Sequence, residues 1–207
     1  MIQNQVMIVD YGMGNLHSVK KKLLRLKVTP IISSDPNEIM KADKLILPGV
    51  GHFKKAMENL RERNLIDALH KAVLEDKKPI LGICLGMQLM AKKSEEGNAE
   101  GLGWFDADVV KFQVEDNLRF KVPHTGWNDV KQLKGSRLTE GLPDQAAFYF
   151  VHAFHCRVQN TSDMLHETKY EYTFTSAYEK ENIFGVQYHP EKSHDVGEKL
   201  LKNFIDL

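Results

Sequence analysis

The N-terminal half of the chain alternates short apolar runs with segments of helical periodicity, and few folds accept that order. Val6-Met7-Ile8-Val9 predicts a short buried strand, and Tyr11 to Asn15, which carries Gly12 and Gly14, must turn. Leu16, Val19, Leu23 and Leu26 then fall at helical spacing, with Lys20, Lys21 and Lys22 mostly on the wet side. Val28 to Ile32 is β-branched and predicts a second strand. Asp35-Pro36-Asn37-Glu38 predicts a helix start: Asp35 caps, Pro36 suits the first helical position and Glu38 reaches back in a capping box. Leu45-Ile46-Leu47 is a third strand, stopped by Pro48-Gly49-Val50-Gly51. Phe53, Ala56, Met57 and Leu60 mark a helix, which Leu65, Leu69 and Val73 continue or follow with another. Pro79-Ile80-Leu81 is a fourth strand, ended by Gly82-Ile83-Cys84-Leu85-Gly86, and Leu85, Leu89 and Met90 start the next helix. Strands that alternate with helices pair in parallel, because only a crossover long enough to hold a helix returns the chain to the same edge. The expectation is a parallel sheet with helices on both faces and ligands at the carboxyl ends of its strands.

After Gly103 the texture changes. Phe105 to Val114, Leu118 to Val122, Asn128 to Leu133, Ala147 to Val151, Met164 to Tyr170, Thr173 to Tyr178 and Ile183 to Tyr188 all read as short strands. Several are aromatic and alternating, which favours antiparallel pairing. Val196, Leu200 and Phe204 predict a closing helix. With 207 residues and no repeat, low-complexity tract or linker, residues 1–207 are expected to form one α/β domain, its central sheet parallel or mixed and its second half β-rich.

Composition removes several functions. Lysine plus arginine and aspartate plus glutamate both number 28, so there is no net positive charge to neutralise a phosphate backbone. Two cysteines, Cys84 and Cys156, are too few for a disulfide framework or a cysteine zinc site. Met1 to Asp10 has no basic stretch followed by a long apolar one, so no signal peptide is expected, and Pro79 to Ala91 is too short and glycine-rich to span a bilayer. The expected compartment is the cytosol.

Gly82-Ile83-Cys84-Leu85-Gly86 has the form of a nucleophile elbow with cysteine in place of serine. A tight strand-to-helix turn lifts the side chain above the sheet edge, and flanking glycines remove β-carbons that would clash. The helix behind favours a thiolate and offers backbone N–H groups to an oxyanion. A small cysteine buried in such a turn accounts for this pentapeptide equally well. A nucleophilic cysteine needs a base and the base an orienter. His189 lies just past a predicted strand, stiffened by Pro190 and followed by Glu191; taken alone, His-Pro-Glu is better explained as a polar loop. Gly49 and Gly51 around Val50 make a backbone whose N–H could turn toward an oxyanion, although a plain loop is the commoner meaning. Gly12-Met13-Gly14 imitates a dinucleotide loop, but its third glycine would fall at His17. Cys156 lacks an elbow, and His152 and His155 lie in an aromatic strand where packing is the expected role.

Together these stretches resemble the class I (triad) glutamine amidotransferases over almost the whole length. The elbow, and His189-Pro190-Glu191 within Gly185-Val186-Gln187-Tyr188-His189-Pro190-Glu191-Lys192-Ser193, are shared by all triad members. Asp10-Tyr11-Gly12-Met13-Gly14-Asn15-Leu16, Val122-Pro123-His124-Thr125-Gly126-Trp127-Asn128 and Tyr149-Phe150-Val151-His152 narrow the resemblance to the branch that serves histidine biosynthesis. Two departures stand out: Thr125 replaces a usual methionine, and Ala153-Phe154 replace Ser-Tyr.

The resemblance implies a flavodoxin-like fold and a glutaminase. Cys84 would attack glutamine, His189 would shuttle the proton and Glu191 would orient His189. Leu85 would supply one oxyanion N–H and Val50, between Gly49 and Gly51, the other after a peptide flip, and Gln88 would hold the substrate. It implies no metal or organic cofactor. Ammonia would pass to a HisF-type (β/α)8-barrel cyclase in a heterodimer, yielding imidazole glycerol phosphate and aminoimidazole carboxamide ribotide. Relatives that supply ammonia for amidation of a surface-polysaccharide sugar are the alternative. Another cysteine hydrolase and a binding protein with a dead site are more distant ones, the latter opposed by the intact Cys84, His189 and Glu191.

Overall fold

A computed structural model describes residues 5–207; residues 1–4, which contribute to the reading of the N-terminus as lacking a leader, lie outside the described residues. The first half runs β1 (Val6–Val9), α1 (Leu16–Arg25), β2 (Ile31–Ser33), α2 (Pro36–Lys41), β3 (Lys44–Gly49), α3 (Phe53–Glu62), α4 (Leu65–His70), a π-helical turn (Lys71–Glu75), β4 (Ile80–Cys84) and α5 (Leu85–Leu89). The second half adds β5 (Lys93–Ser94), β6 (Ala99–Glu100), β7 (Ala107–Lys111), β8 (His124–Gln132), β9 (Gln145–His152), β10 (Phe154–Val158), β11 (Met164–Lys169), β12 (Thr173–Lys180), β13 (Ile183–Val186) and α6 (His194–Asp206).

The thirteen strands among the described residues join one sheet, whose main path is β2-β1-β3-β4-β13-β12-β10-β7-β5-β6. The segment from β2 to β13 is parallel, and β12 turns the sheet antiparallel. Strands β8, β9 and β11 form a side branch. The parallel strands read as continuous apolar runs because both faces are covered. Alternate residues of β1 enter opposite cores: Met7 and Val9 pack with α2, α3 and α4, whereas Val6 and Ile8 pack with Val19 and Leu23 of α1 and Leu200 and Phe204 of α6. The expected two-faced α/β sheet with a β-rich second half is thus the observed architecture.

Local chemistry moves some boundaries. Lys27 takes a left-handed φ of 61° and ends α1, so β2 begins at Ile31 rather than Val28. Asp35 caps α2 by accepting from Asn37 N–H at 2.8 Å, but its own N–H donates to Ser33 Oγ at 3.0 Å, so Glu38 does not complete the capping box. Asn64, at φ 55°, separates α3 from α4. Residues 118–122 are a turn and not a strand: Asp116 Oδ1 accepts from both Leu118 N–H and Arg119 N–H at 3.1 Å. His155 and Cys156, read as strand residues, lie in β10, which is separate from the β9 that ends at His152.

Candidate active site

Three neighbouring parallel strands end together. Gly49 of β3 pairs with Cys84 of β4, and Val186 of β13 pairs with Ile83 on the other side. The oxyanion loop, the cysteine and the histidine segment therefore meet at one carboxyl edge, although their positions are far apart in sequence.

The elbow is sterically compulsory. Cys84 sits at φ 54°, ψ −110°, a backbone state that costs a non-glycine residue about 1–3 kcal/mol and is held only where its surroundings insist. A β-carbon at Gly86 would lie 1.7 Å from the Leu47 carbonyl oxygen, and one at Gly82 would lie 2.8 Å from the Gly86 carbonyl. Gly49 is equally constrained: its β-carbon would lie 2.3 Å from Tyr11 Oη and 2.8 Å from Leu85 Cβ. Gly51, at φ +113°, needs a residue without a side chain for conformational reasons as well. A β-carbon at Gly14 would lie 3.1 Å from the Pro48 carbonyl oxygen, so the Gly12–Gly14 loop sits close against the oxyanion loop. The helix α5 spans only five residues, so its dipole is a smaller aid to Cys84 than the sequence suggested.

His189 is held on every side. Its Nδ1 lies 2.8 Å from Glu191 Oε1, with both side chains 1 % exposed. Its backbone N–H donates to Tyr149 O at 2.9 Å, and Ser193 Oγ donates to its carbonyl at 2.6 Å while accepting from Tyr149 N–H at 3.0 Å. Burial opposes a charge on the imidazole, but the Cys84 sulfur and the Glu191 carboxylate outweigh it and push the His189 pKa up from 6.5 to about 10. The remaining nitrogen, Nε2, is buried without a partner in hydrogen-bond geometry. Catalytic hydrogen bonds are commonly loose before substrate tightens them. Cys84 Sγ instead donates to Val151 O at 3.9 Å and receives an N–H from Gln187 Nε2 at 3.7 Å.

A cleft of about 310 Å³ opens over the cysteine. Val50, Gly51, Cys84, Leu85 and Gln88 line it, so the expected oxyanion loop, nucleophile and substrate-holding residue share one cavity. His189 lies behind the cysteine and outside that lining. Ala153 and Phe154, which depart from the family pattern, line the opposite wall with His152, and exposed Thr125 does not. Glu96 also lines the cleft, and one of its oxygens accepts from Phe53 N–H at 2.7 Å. Neither Glu96 nor Ser193 was singled out from the sequence; Ser193 closes the His-Pro-Glu-Lys-Ser stretch, but Glu96 carries no local signal. Cys156 is remote from this chemistry: it is 1 % exposed, and burial pushes its thiol pKa far up. His152 and His155 pack around Phe112 and Phe174 as expected.

Among solved structures, PurLQS from Thermotoga maritima superposes with a TM-score of 0.75 at 16% identity, over 99% of each chain. The glutaminase domain of CTPS from Trypanosoma brucei does so with a TM-score of 0.63 at 17% identity, over 98% of this chain and 94% of that one. At those identities the likeness concerns the fold. Closer in sequence is "imidazole glycerol phosphate synthase subunit HisH 2" of Methanococcus maripaludis, 49% identical over 97% of this chain and 98% of that protein. "Imidazole glycerol phosphate synthase subunit HisH 1" of Campylobacter jejuni strain RM1221 is 45% identical over 98% of this chain and 100% of its own. The family model for glutamine amidotransferase class-I matches residues 7–207, and with relatives this similar over nearly their full length, the chain belongs to the class-I glutamine amidotransferase family.

Proposed function

We propose that this chain is the glutaminase subunit of an imidazole glycerol phosphate synthase, acting in histidine biosynthesis. The observation that carries the reading is the placement of Cys84, in its strained elbow, beside the buried His189–Glu191 pair at the end of the next strand. The HisH names of the relatives favour this acceptor over a surface-polysaccharide sugar.

Glutamine enters the cleft with its side-chain amide over Cys84. The Cys84 sulfur, its proton already held by His189, attacks the amide carbon as a thiolate, and the carbon–oxygen π bond opens to an oxyanion. Leu85 N–H, which follows the nucleophile, is one donor to that oxyanion. Val50 N–H is the other, brought into line by rotation of the peptide that Gly49 and Gly51 flank. His189 then gives its proton to the leaving nitrogen, ammonia departs, and a glutamyl thioester remains. Water hydrolyses the thioester, releasing glutamate and restoring the thiol. Glu191 holds Nδ1–H toward itself, which keeps Nε2 available to the sulfur. Gln88 spends its amide nitrogen on Phe154 O and Gln187 Oε1, both at 3.0 Å, so its oxygen is the end left to accept an N–H from substrate. The Glu96 carboxylate suits the α-ammonium group of glutamine.

Ammonia passes from this site to a (β/α)8-barrel cyclase partner without meeting solvent. Among the described residues no helix is long and apolar enough to cross a membrane. The test uses Cys84→Ala assembled with the barrel partner. Synthesis from glutamine is expected to vanish while synthesis from added ammonium salt, at a pH where free ammonia is present, persists. An associated complex that loses both, or retains the glutamine reaction, overturns the reading.

A further inference from the structure

Gln187 lies between β13 and His189, with a fully buried side chain. Its Nε2 is in hydrogen-bond contact with Cys84 Sγ at 3.7 Å, and its Oε1 accepts from Gln88 Nε2 at 3.0 Å. The two ends of an amide have nearly the same shape, so neighbours decide which end faces the sulfur. Here the decision starts at a backbone carbonyl, which can only accept. Phe154 O lies 3.0 Å from the Gln88 amide, and the Gln88 nitrogen has to face it. That nitrogen also meets Gln187, which must therefore present its oxygen to Gln88. Its nitrogen is left for the sulfur.

The anchor is itself fixed. Phe154 O also receives His152 Nδ1 at 2.7 Å, which leaves His152 Nε2 to accept from His124 Nδ1 at 3.1 Å; Asn128 Nδ2 then donates to His124 Nε2 at 3.3 Å. Each link has one donor and one acceptor, and reversing any of them sets like against like. Because Phe154 contributes a carbonyl, this polarity does not depend on the unusual side chain at that position.

We infer that Gln187 is a catalytic residue of the glutaminase: its amide N–H, aimed by the Phe154 carbonyl through Gln88, donates to the Cys84 sulfur and stabilises the attacking thiolate. The inference rests on the reading of Cys84 as nucleophile. A hydrogen bond to an ionised sulfur is stronger than one to a thiol, so the contact favours the charged form at this largely buried sulfur. Its effect is greatest on the availability of the thiolate and smaller once the electron pair has moved to carbon. It is a role distinct from that of the oxyanion donors, which act on the oxygen.

The test uses Gln187→Met and Gln187→Glu in the assembled synthase. Neither side chain offers an amide N–H to the sulfur, and Glu adds a like charge. The rate of Cys84 alkylation by iodoacetamide is followed against pH, with peptide mapping to exclude Cys156, beside steady-state glutamine hydrolysis. The alkylation profile is expected to move up by about one pH unit, with turnover at neutral pH falling roughly tenfold and recovering in part at higher pH. KM for glutamine is expected to change little. If Met disrupts folding, Glu, which can still accept from Gln88, carries the measurement. An alkylation profile that superposes on that of the unaltered enzyme overturns the inference, whether turnover is kept or lost; loss without a shift makes Gln187 a structural support. An unaltered enzyme that fails to hydrolyse glutamine defeats the reading of Cys84 instead.

Discussion

Replacing Tyr11 with Phe deletes a single oxygen from a position with no solvent exposure and no hydrogen-bond partner among the described residues. Burial, and secondarily the Cys84 charge, push the phenol pKa far up, so the group is a neutral hydroxyl at any working pH. An unpaired buried hydroxyl forfeits the hydrogen bonds it makes to water in the unfolded chain, a penalty of about 1–3 kcal/mol. Against this stands the space left by the oxygen, roughly 10 Å³, which at about 24 cal/mol per Å³ costs only about 0.2 kcal/mol. Tyr11→Phe is therefore expected to stabilise the protein by about 1 kcal/mol or more. At this chain length that raises Tm by about 2–4 °C. Urea unfolding should show a higher midpoint at an unchanged slope, which separates a change in stability from a change in the denatured state. The same oxygen lies 2.3 Å from where a Gly49 β-carbon would stand. Gly49→Ala should accordingly cost less in the Tyr11→Phe background than alone, and the difference between the two costs isolates that contact. A Tyr11→Phe protein that melts lower than its parent refutes the reasoning, because it means that the hydroxyl is satisfied in the folded state.

Gly86→Ala is expected to destabilise by at least about 3 kcal/mol and to slow Cys84 labelling, since its β-carbon would lie 1.7 Å from a backbone oxygen that can move only by separating β3 from α5. Gly135→Ala, where a β-carbon meets open space, is the control and should change stability by less than about 0.5 kcal/mol in the same urea titration. Acid should weaken the fold before most carboxylates titrate. Burial lowers His124, His155 and His166 from 6.5 to about 4 and His152 well below 6.5, so the stability from keeping them neutral is complete above pH 6.5 and is lost as pH falls toward 4. His189 contributes no slope in that window: its raised pKa leaves it protonated in both states there, so its stabilisation is constant and is lost only as pH rises from 6.5 toward 10. A midpoint of thermal unfolding that stays flat from pH 6.5 to 4 contradicts this account.

Cys84 and Gln187 show why one half of the site is legible in the residues and the other is not. The elbow is a local solution to a local problem: a strand must end, a helix must begin, and a side chain between them must rise at positive φ. The glycines that permit this sit within two residues of Cys84, so the constraint is written beside the residue it serves. The parallel strands are legible for a similar reason, since burial on both faces leaves unbroken apolar runs such as Val6–Val9. The contact between Gln187 and Cys84 instead spans 103 positions and depends on β13 lying beside β4. Gln187 lies in the stretch that carries His189, but neither its residue type nor its spacing shows that its amide meets a sulfur on another strand. Leu118–Val122 fails in the opposite sense: its alternation suits a strand, but Asp116 captures the backbone N–H groups that pairing would need. Phe154–Val158 is a strand despite polar His155 and Arg157, because its partners β7 and β12 supply both edges. Short strands of this kind draw their stability from neighbours rather than from their own pattern. The polarity of the chain from Asn128 to Cys84 is the furthest case. It is set by one carbonyl oxygen, a group every residue carries, and only the fold decides that the one at Phe154 faces Gln88.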